Sequence, residues 1–91
     1  MIGFLQVEVT DNMGSTPLHR AASKNHLQAT NLLISKGADI NAKDNEGNTP
    51  LHLACECEAR EVYMRLVEAG ARRDIKNKAG KTPPELGPLS R

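Results

Sequence analysis

Three Thr-Pro dipeptides, Thr16-Pro17, Thr49-Pro50 and Thr82-Pro83, stand 33 residues apart. That interval constrains the fold more than anything in the composition. The first two copies extend to Thr16-Pro17-Leu18-His19-Arg20-Ala21 and Thr49-Pro50-Leu51-His52-Leu53-Ala54. The lead-ins repeat as Asp11-Asn12-Met13-Gly14, Asp44-Asn45-Glu46-Gly47 and Asn77-Lys78-Ala79-Gly80, and Lys36-Gly37-Ala38-Asp39 is echoed by Ala69-Gly70-Ala71-Arg72. A fixed period of this length marks a stack of small units, each burying its face on its neighbour. A chain of 91 residues cannot wrap a large globular core, and stacking removes the need for one.

The period cuts the chain into the tail of a truncated repeat (1–10), two full repeats (11–43 and 44–76) and a truncated stub (77–91). Within the first full repeat, Asp11 to Ser15 reads as a turn. Thr16 stands where an N-cap belongs, and Pro17 takes the first helical position, where a missing N–H costs nothing. Leu18, Ala21 and Ala22 make the i, i+3, i+4 stripe of a short inner helix. Asn25-His26 breaks it, and a second helix runs from about Leu27 to Ser35 with Thr30, Leu33 and Ile34 on one face. Gly37 closes that helix. The second repeat copies the pattern with Leu51, Ala54 and Cys55, a turn at Glu58-Ala59, and an outer face of Val62, Tyr63, Leu66 and Val67. Cys55 takes the core place of Ala22, and Cys57 aligns with Lys24 and faces solvent.

The period and the Thr-Pro-Leu-His, Gly and Gly-Ala positions resemble ankyrin repeats over most of the chain. The resemblance implies an all-α ankyrin solenoid: four helices in two hairpins, with fingers in an L-shaped stack. It implies a finger strand at Val7 and Val9. It also implies that His19 and His52 bond the threonine of their own motif and the adjoining backbone. The sequence departs from the pattern at Glu58-Ala59, where the family usually has Gly-His. It departs again at Pro84, which replaces a leucine, and at Gly87-Pro88, which stops a third helix.

Little in the chain points to chemistry. Twelve basic residues face eleven acidic ones, for a net charge of +1, so no nucleic-acid or membrane partner is imposed. One Phe and one Tyr, with no Trp, provide no platform for stacking bases. His52-x-x-Cys55-x-Cys57 has zinc-ligand residue types, but Cys57 turns away from the other two on a helix and a fourth ligand is missing. Asp39-x-Asn41-x-Lys43-Asp44-x-x-Gly47 puts a lysine where a calcium loop needs an oxygen. We therefore expect no enzyme, cofactor or metal site. Arg72, Arg73, Lys76, Lys78 and Lys81 make the last finger basic. A solvated face is the plainer reading, with an acidic protein surface as the alternative. Cys55 and Cys57 are too close to pair, which suits a reducing compartment. Met1 to Leu5 is too short for a signal sequence.

The expected function is protein binding. The contact residues are finger tips and exposed inner-helix positions: Asn12, Met13, Ser15, Arg20, Ser23, Lys24, Asn45, Glu46, Asn48, Leu53, Glu56 and Cys57. Glu46 to Cys55 and then Asn77-Lys78 and Lys81-Thr82-Pro83 resemble the closing repeats of the gankyrin group of ankyrin proteins. This resemblance implies a fragment or shortened form of a longer array. It implies an assembly-chaperone role toward a proteasomal ATPase subunit, association with the retinoblastoma protein and a cyclin-dependent kinase, and a cytoplasmic and nuclear location. Retinoblastoma binding in that group uses Leu-x-Cys-x-Glu, and here Leu53-Ala54-Cys55-Glu56 runs into Cys57 instead of glutamate. The alternatives are a truncated ankyrin fragment with no independent partner and an adaptor in another pathway. Two repeats also fall short of the usual three. The pattern predicts that Leu18, Ala22 and Leu33 at one end, and Leu51, Leu66 and Val67 at the other, lose their cover. The chain would then be marginally stable and prone to weak self-association through its ends.

Overall fold

The computed structural model describes residues 10–83. These residues hold four α-helices and no strand: α1 (Pro17–Ser23), α2 (Leu27–Ser35), α3 (Pro50–Glu56) and α4 (Arg60–Glu68). The all-α reading and the two helix pairs are as the period implies. Val7, Val9, Pro84, Gly87 and Pro88 lie outside the described residues. No helix among the described residues is long and apolar enough to cross a membrane.

Each inner helix starts the same way. The Thr16 and Thr49 hydroxyls accept the N–H of His19 and His52, and each histidine ring bonds back toward the threonine. The proline at the first helical position completes the start. In the first repeat the Thr16 N–H donates to His19 Nδ1 at 3.1 Å, so Nδ1 is the acceptor nitrogen. The proton therefore sits on Nε2, which donates to the Asn48 carbonyl at 2.7 Å. His52 repeats this with Thr49 N–H at 3.0 Å and the Lys81 carbonyl at 2.9 Å. The sequence anticipated the local half of this network. The other half ties each inner helix to the finger of the following repeat.

The two repeats stack as inner helix on inner helix and outer helix on outer helix: α1 packs on α3, and α2 on α4. One core runs through both, made of Leu18, Ala21, Ala22, Leu33, Leu51, Ala54, Cys55, Ala59, Val62, Tyr63 and Leu66. The small residues are what permit α1 and α3 to approach. The expectation of uncovered ends is corrected here. Leu18, Ala22, Leu33, Leu51 and Leu66 are all buried, because they turn into this shared core and not toward the ends of the stack. Each such side chain keeps its burial energy, about 1.5–3 kcal/mol for the larger ones. Only Val67 is half-buried. Among the described residues Leu32 is 49% exposed, in a groove with Pro17, Ala21, Ala29 and Leu33.

The inter-helix turns place Asn25 at φ 56° and Glu58 at φ 54°, both in the left-handed region. Asn tolerates that region; Glu does so at a cost of about 1–2 kcal/mol. Asn25 has a second reason to be there. Its Oδ1 accepts the Val62 N–H at 3.2 Å, and its Nδ2 donates to Glu61 Oε1 at 2.7 Å. No side chain of the second repeat caps α4. Asn25 thus caps the outer helix of the next repeat from the turn of its own. That amide holds the Glu61 carboxyl below its usual range.

Candidate protein-binding site

The three fingers, residues 10–15, 43–48 and 76–81, are copies of one turn. In each, the second residue of the turn closes the loop with its own backbone: Asp11 N–H to Ser15 O (3.1 Å), Asp44 N–H to Asn48 O (2.9 Å) and Asn77 N–H to Lys81 O (2.9 Å). The same side chain's Oδ1 accepts two backbone N–H groups. Asp11 takes those of Met13 and Ser15, Asp44 those of Glu46 and Asn48, and Asn77 those of Ala79 and Lys81. The Ser15 amide, followed by the Met13 amide and the Arg20 charge, holds Asp11 below the usual carboxylate range.

Consecutive fingers are joined by backbone. Asn45 N–H donates to the Met13 carbonyl and Lys78 N–H to the Glu46 carbonyl, each at 2.9 Å. The chains meet closely enough to need glycine. A Cβ on Gly47, already at φ +78°, would come within 3.0 Å of the Lys78 nitrogen. The result is a row of fingers at fixed register along the inner helices.

The residues anticipated from sequence divide on this frame into exposed and half-buried ones. Asn12, Met13, Arg20, Lys24, Asn45, Glu46, Glu56 and Cys57 are exposed. Met13 is 57% exposed, a large apolar side chain held outward at a finger tip. Arg20 reaches back to Asp11 at 3.5 Å, which sets the α1 residues beside the first finger. Glu56 lines a polar groove of about 240 Å³ with Asn48, His52, Asn77, Lys81 and Thr82, which sets α3 beside the third.

The remainder, Ser15, Ser23, Asn48 and Leu53, are half-buried and also make contacts within the fold. Asn48 is half-buried; its carbonyl holds His19 and its Oδ1 accepts from Asn77 Nδ2 at 2.8 Å. Asn45 divides its work, donating to the Asn12 carbonyl at 3.1 Å. Ser15 is half-buried in the turn, and the Ser23 hydroxyl donates to the Arg20 carbonyl at 3.0 Å. Leu53 packs against the core, and Cys55 is buried within α3. Leu53-Ala54-Cys55 is therefore helical and partly internal, which does not suit a motif read as an extended strand.

Sequence reasoning missed a groove of about 460 Å³ between α2 and α4, lined by Leu27, Asn31, Arg60, Glu61, Met64, Arg65 and Glu68. Leu27 and Met64 are exposed there. Arg65 Nε donates to Asn31 Oδ1 across it at 2.6 Å. The 34-residue interval between Asn31 and Arg65, one more than the period, was the available signal.

The family description "Ankyrin repeats (3 copies)" matches residues 2–79. The chain belongs to the ankyrin-repeat family. Proteins built from these repeats are generally non-enzymatic protein–protein interaction modules, and the repeats imply protein partners for this chain. A 28-residue stretch is 61% identical to alpha-latrocrustotoxin-Lt1a of Latrodectus tredecimguttatus, covering 31% of this chain and 2% of that protein. The chain spans a small fraction of that relative's length. The match is as short as a single repeat, so it speaks to the repeat and not to the toxin.

Proposed function

We propose that the chain binds a protein partner along the finger row and the flanking inner-helix positions, with Asn12, Met13, Asn45 and Glu46 at the centre. The observation that carries this is the division of labour in the fingers. Backbone and Asx side chains hold the turn, leaving Met13 and Glu46 exposed, with neither side chain hydrogen-bonded among the described residues. The held finger backbone fixes their register, so that only their side-chain rotamers are left to be ordered on binding.

The partner class we propose is a proteasomal ATPase subunit, held as an assembly chaperone would hold it, in the cytoplasm and nucleus. This finer reading rests on the likeness of Glu46 to Cys55, of Asn77-Lys78 and of Lys81-Thr82-Pro83 to the gankyrin group. The test is titration of the chain against the C-terminal domain of each proteasomal ATPase, with wild type beside a variant replacing Asn12, Met13, Asn45 and Glu46 by alanine. We expect one ATPase domain to bind and the quadruple variant to lose at least about tenfold in affinity, with helicity unchanged. Binding to none of the domains removes the proteasomal reading. Unchanged affinity in the variant removes the finger row.

A further inference from the structure

The three fingers share one backbone and differ in charge. Residues 10–15 and 43–48 each carry a net charge of −1, and residues 76–81 carry +3. Four changes between the second and third fingers run in the same direction. Asp44 becomes Asn77, Glu46 becomes Ala79, Asn45 becomes Lys78 and Asn48 becomes Lys81. None alters the turn. Asn77 Oδ1 accepts the same two amides as Asp44, at 3.0 Å each. Lys78 N–H makes the same link to the preceding finger as Asn45 N–H, at 2.9 Å. The Lys81 carbonyl receives His52 as the Asn48 carbonyl receives His19.

The loss of the carboxylate at Asn77 serves the stack, since its Nδ2 donates to Asn48 Oδ1 at 2.8 Å, but the turn has no use for the side-chain charges of Lys78 and Lys81. Lys76, Lys78 and Lys81 are exposed, and among the described residues no carboxylate pairs with them. The neighbouring Asp74 does not neutralise them, because it is taken by Arg72, whose guanidinium lies 2.8 Å away and holds the carboxyl below its usual range. Three like charges on one short turn repel each other and contribute nothing to the stack. Their effect falls on whatever approaches from solvent.

We propose that the third finger is a docking site for an acidic protein segment, which gives one end of the row a selectivity for charge that the first two fingers lack. This rests on the protein-binding reading of the finger row. A protein is favoured over a nucleic acid because no aromatic side chain stands exposed on the finger to stack a base.

The experiment titrates the 91-residue chain with a fluorescein-labelled ten-residue oligoglutamate, an oligoglutamine of the same length and a ten-nucleotide single strand. Amide shifts report the location. The variant K78N/K81N carries the residues of the second finger at both positions, so the turn is preserved; circular dichroism verifies it. We expect oligoglutamate binding that shifts amides within residues 72–83, no binding of oligoglutamine, and at least about a fivefold loss in the variant. Unchanged affinity in K78N/K81N overturns the assignment. So do shifts centred on Arg20, Lys24 or Lys36, and so does binding of the oligonucleotide as tight as that of the peptide. The alanine variant of Asn12, Met13, Asn45 and Glu46 separates the two proposals. Retained oligoglutamate binding there supports the third finger whatever becomes of the ATPase. Equal loss in both variants assigns the acidic segment to the whole row and overturns the third-finger site.

Discussion

Two cysteines stand two positions apart and live in different environments. Cys55 is buried among the α1–α3 core residues, and burial pushes its thiol from 9.0 up to about 12. Cys57 is exposed at the C-cap of α3. The thiolate is the reactive form, so a folded chain at pH 8 should take up one equivalent of a maleimide rapidly, at Cys57. A second equivalent should follow only on unfolding, read by mass spectrometry after proteolysis. The same burial links Cys55 to alkaline stability. Above pH 9 the unfolded chain releases this proton while the folded chain keeps it, so unfolding is favoured as pH rises. Stability present below pH 9 is lost progressively toward pH 12. Cys55→Ala, which restores the residue type of Ala22, should flatten that decline relative to wild type in urea titrations between pH 8.5 and 11. Parallel declines would show that the thiol does not remain protonated.

At the scale of elements, the joints between repeats are made by side chains that reach one unit forward. Asn25 is the clearest case. It combines a left-handed turn conformation with a cap on α4 that the second repeat does not make for itself. The two contributions separate by substitution. Asn25→Gly keeps the turn and removes the cap, and should cost about 1 kcal/mol. Asn25→Ala loses both and should cost about 2–3 kcal/mol, adding the left-handed penalty of about 1–2 kcal/mol. Urea midpoints at constant m-value measure each. Equal costs would mean that the turn conformation carries nothing and the cap everything. The thirty-three-residue spacing gives the partner repeat but not the partner atom. Asn25 meets Val62, and Asn31 meets Arg65, only because the outer helices lie side by side.

For the whole molecule the decisive fact is the continuity of the core. Leu18 and Leu33 of the first repeat and Leu51 and Leu66 of the second belong to one cluster. The histidine and finger bonds cross between the same units. Neither repeat can open without exposing the other's apolar face, so the two should unfold as one unit. Helicity, which samples both repeats, and the fluorescence of Tyr63, buried in the second, should give coincident urea transitions. A first repeat that melts ahead of Tyr63 would show that the joint is weaker than the cluster suggests.

What the sequence by itself determined was everything that is local and periodic. The Thr-Pro-Leu-His starts, the breaks at Asn25 and Glu58 and the glycine ends follow from neighbours within one or two turns, and the burial of Cys55 and exposure of Cys57 from their counterparts Ala22 and Lys24 one period away. The tertiary structure decided what depends on a partner 29 or more residues away. It sent His19 Nε2 to the Asn48 carbonyl and Asn77 Nδ2 to the Asn48 side-chain oxygen, so that Asn48 bonds to the finger and inner helix on either side of it. It drew Leu53 partly into the core and buried the leucines that the repeat pattern predicts to be bare. The physical reason is that helix starts and turns are satisfied within a few residues. Burial and the second hydrogen bond of each buried polar group are satisfied only across the stack.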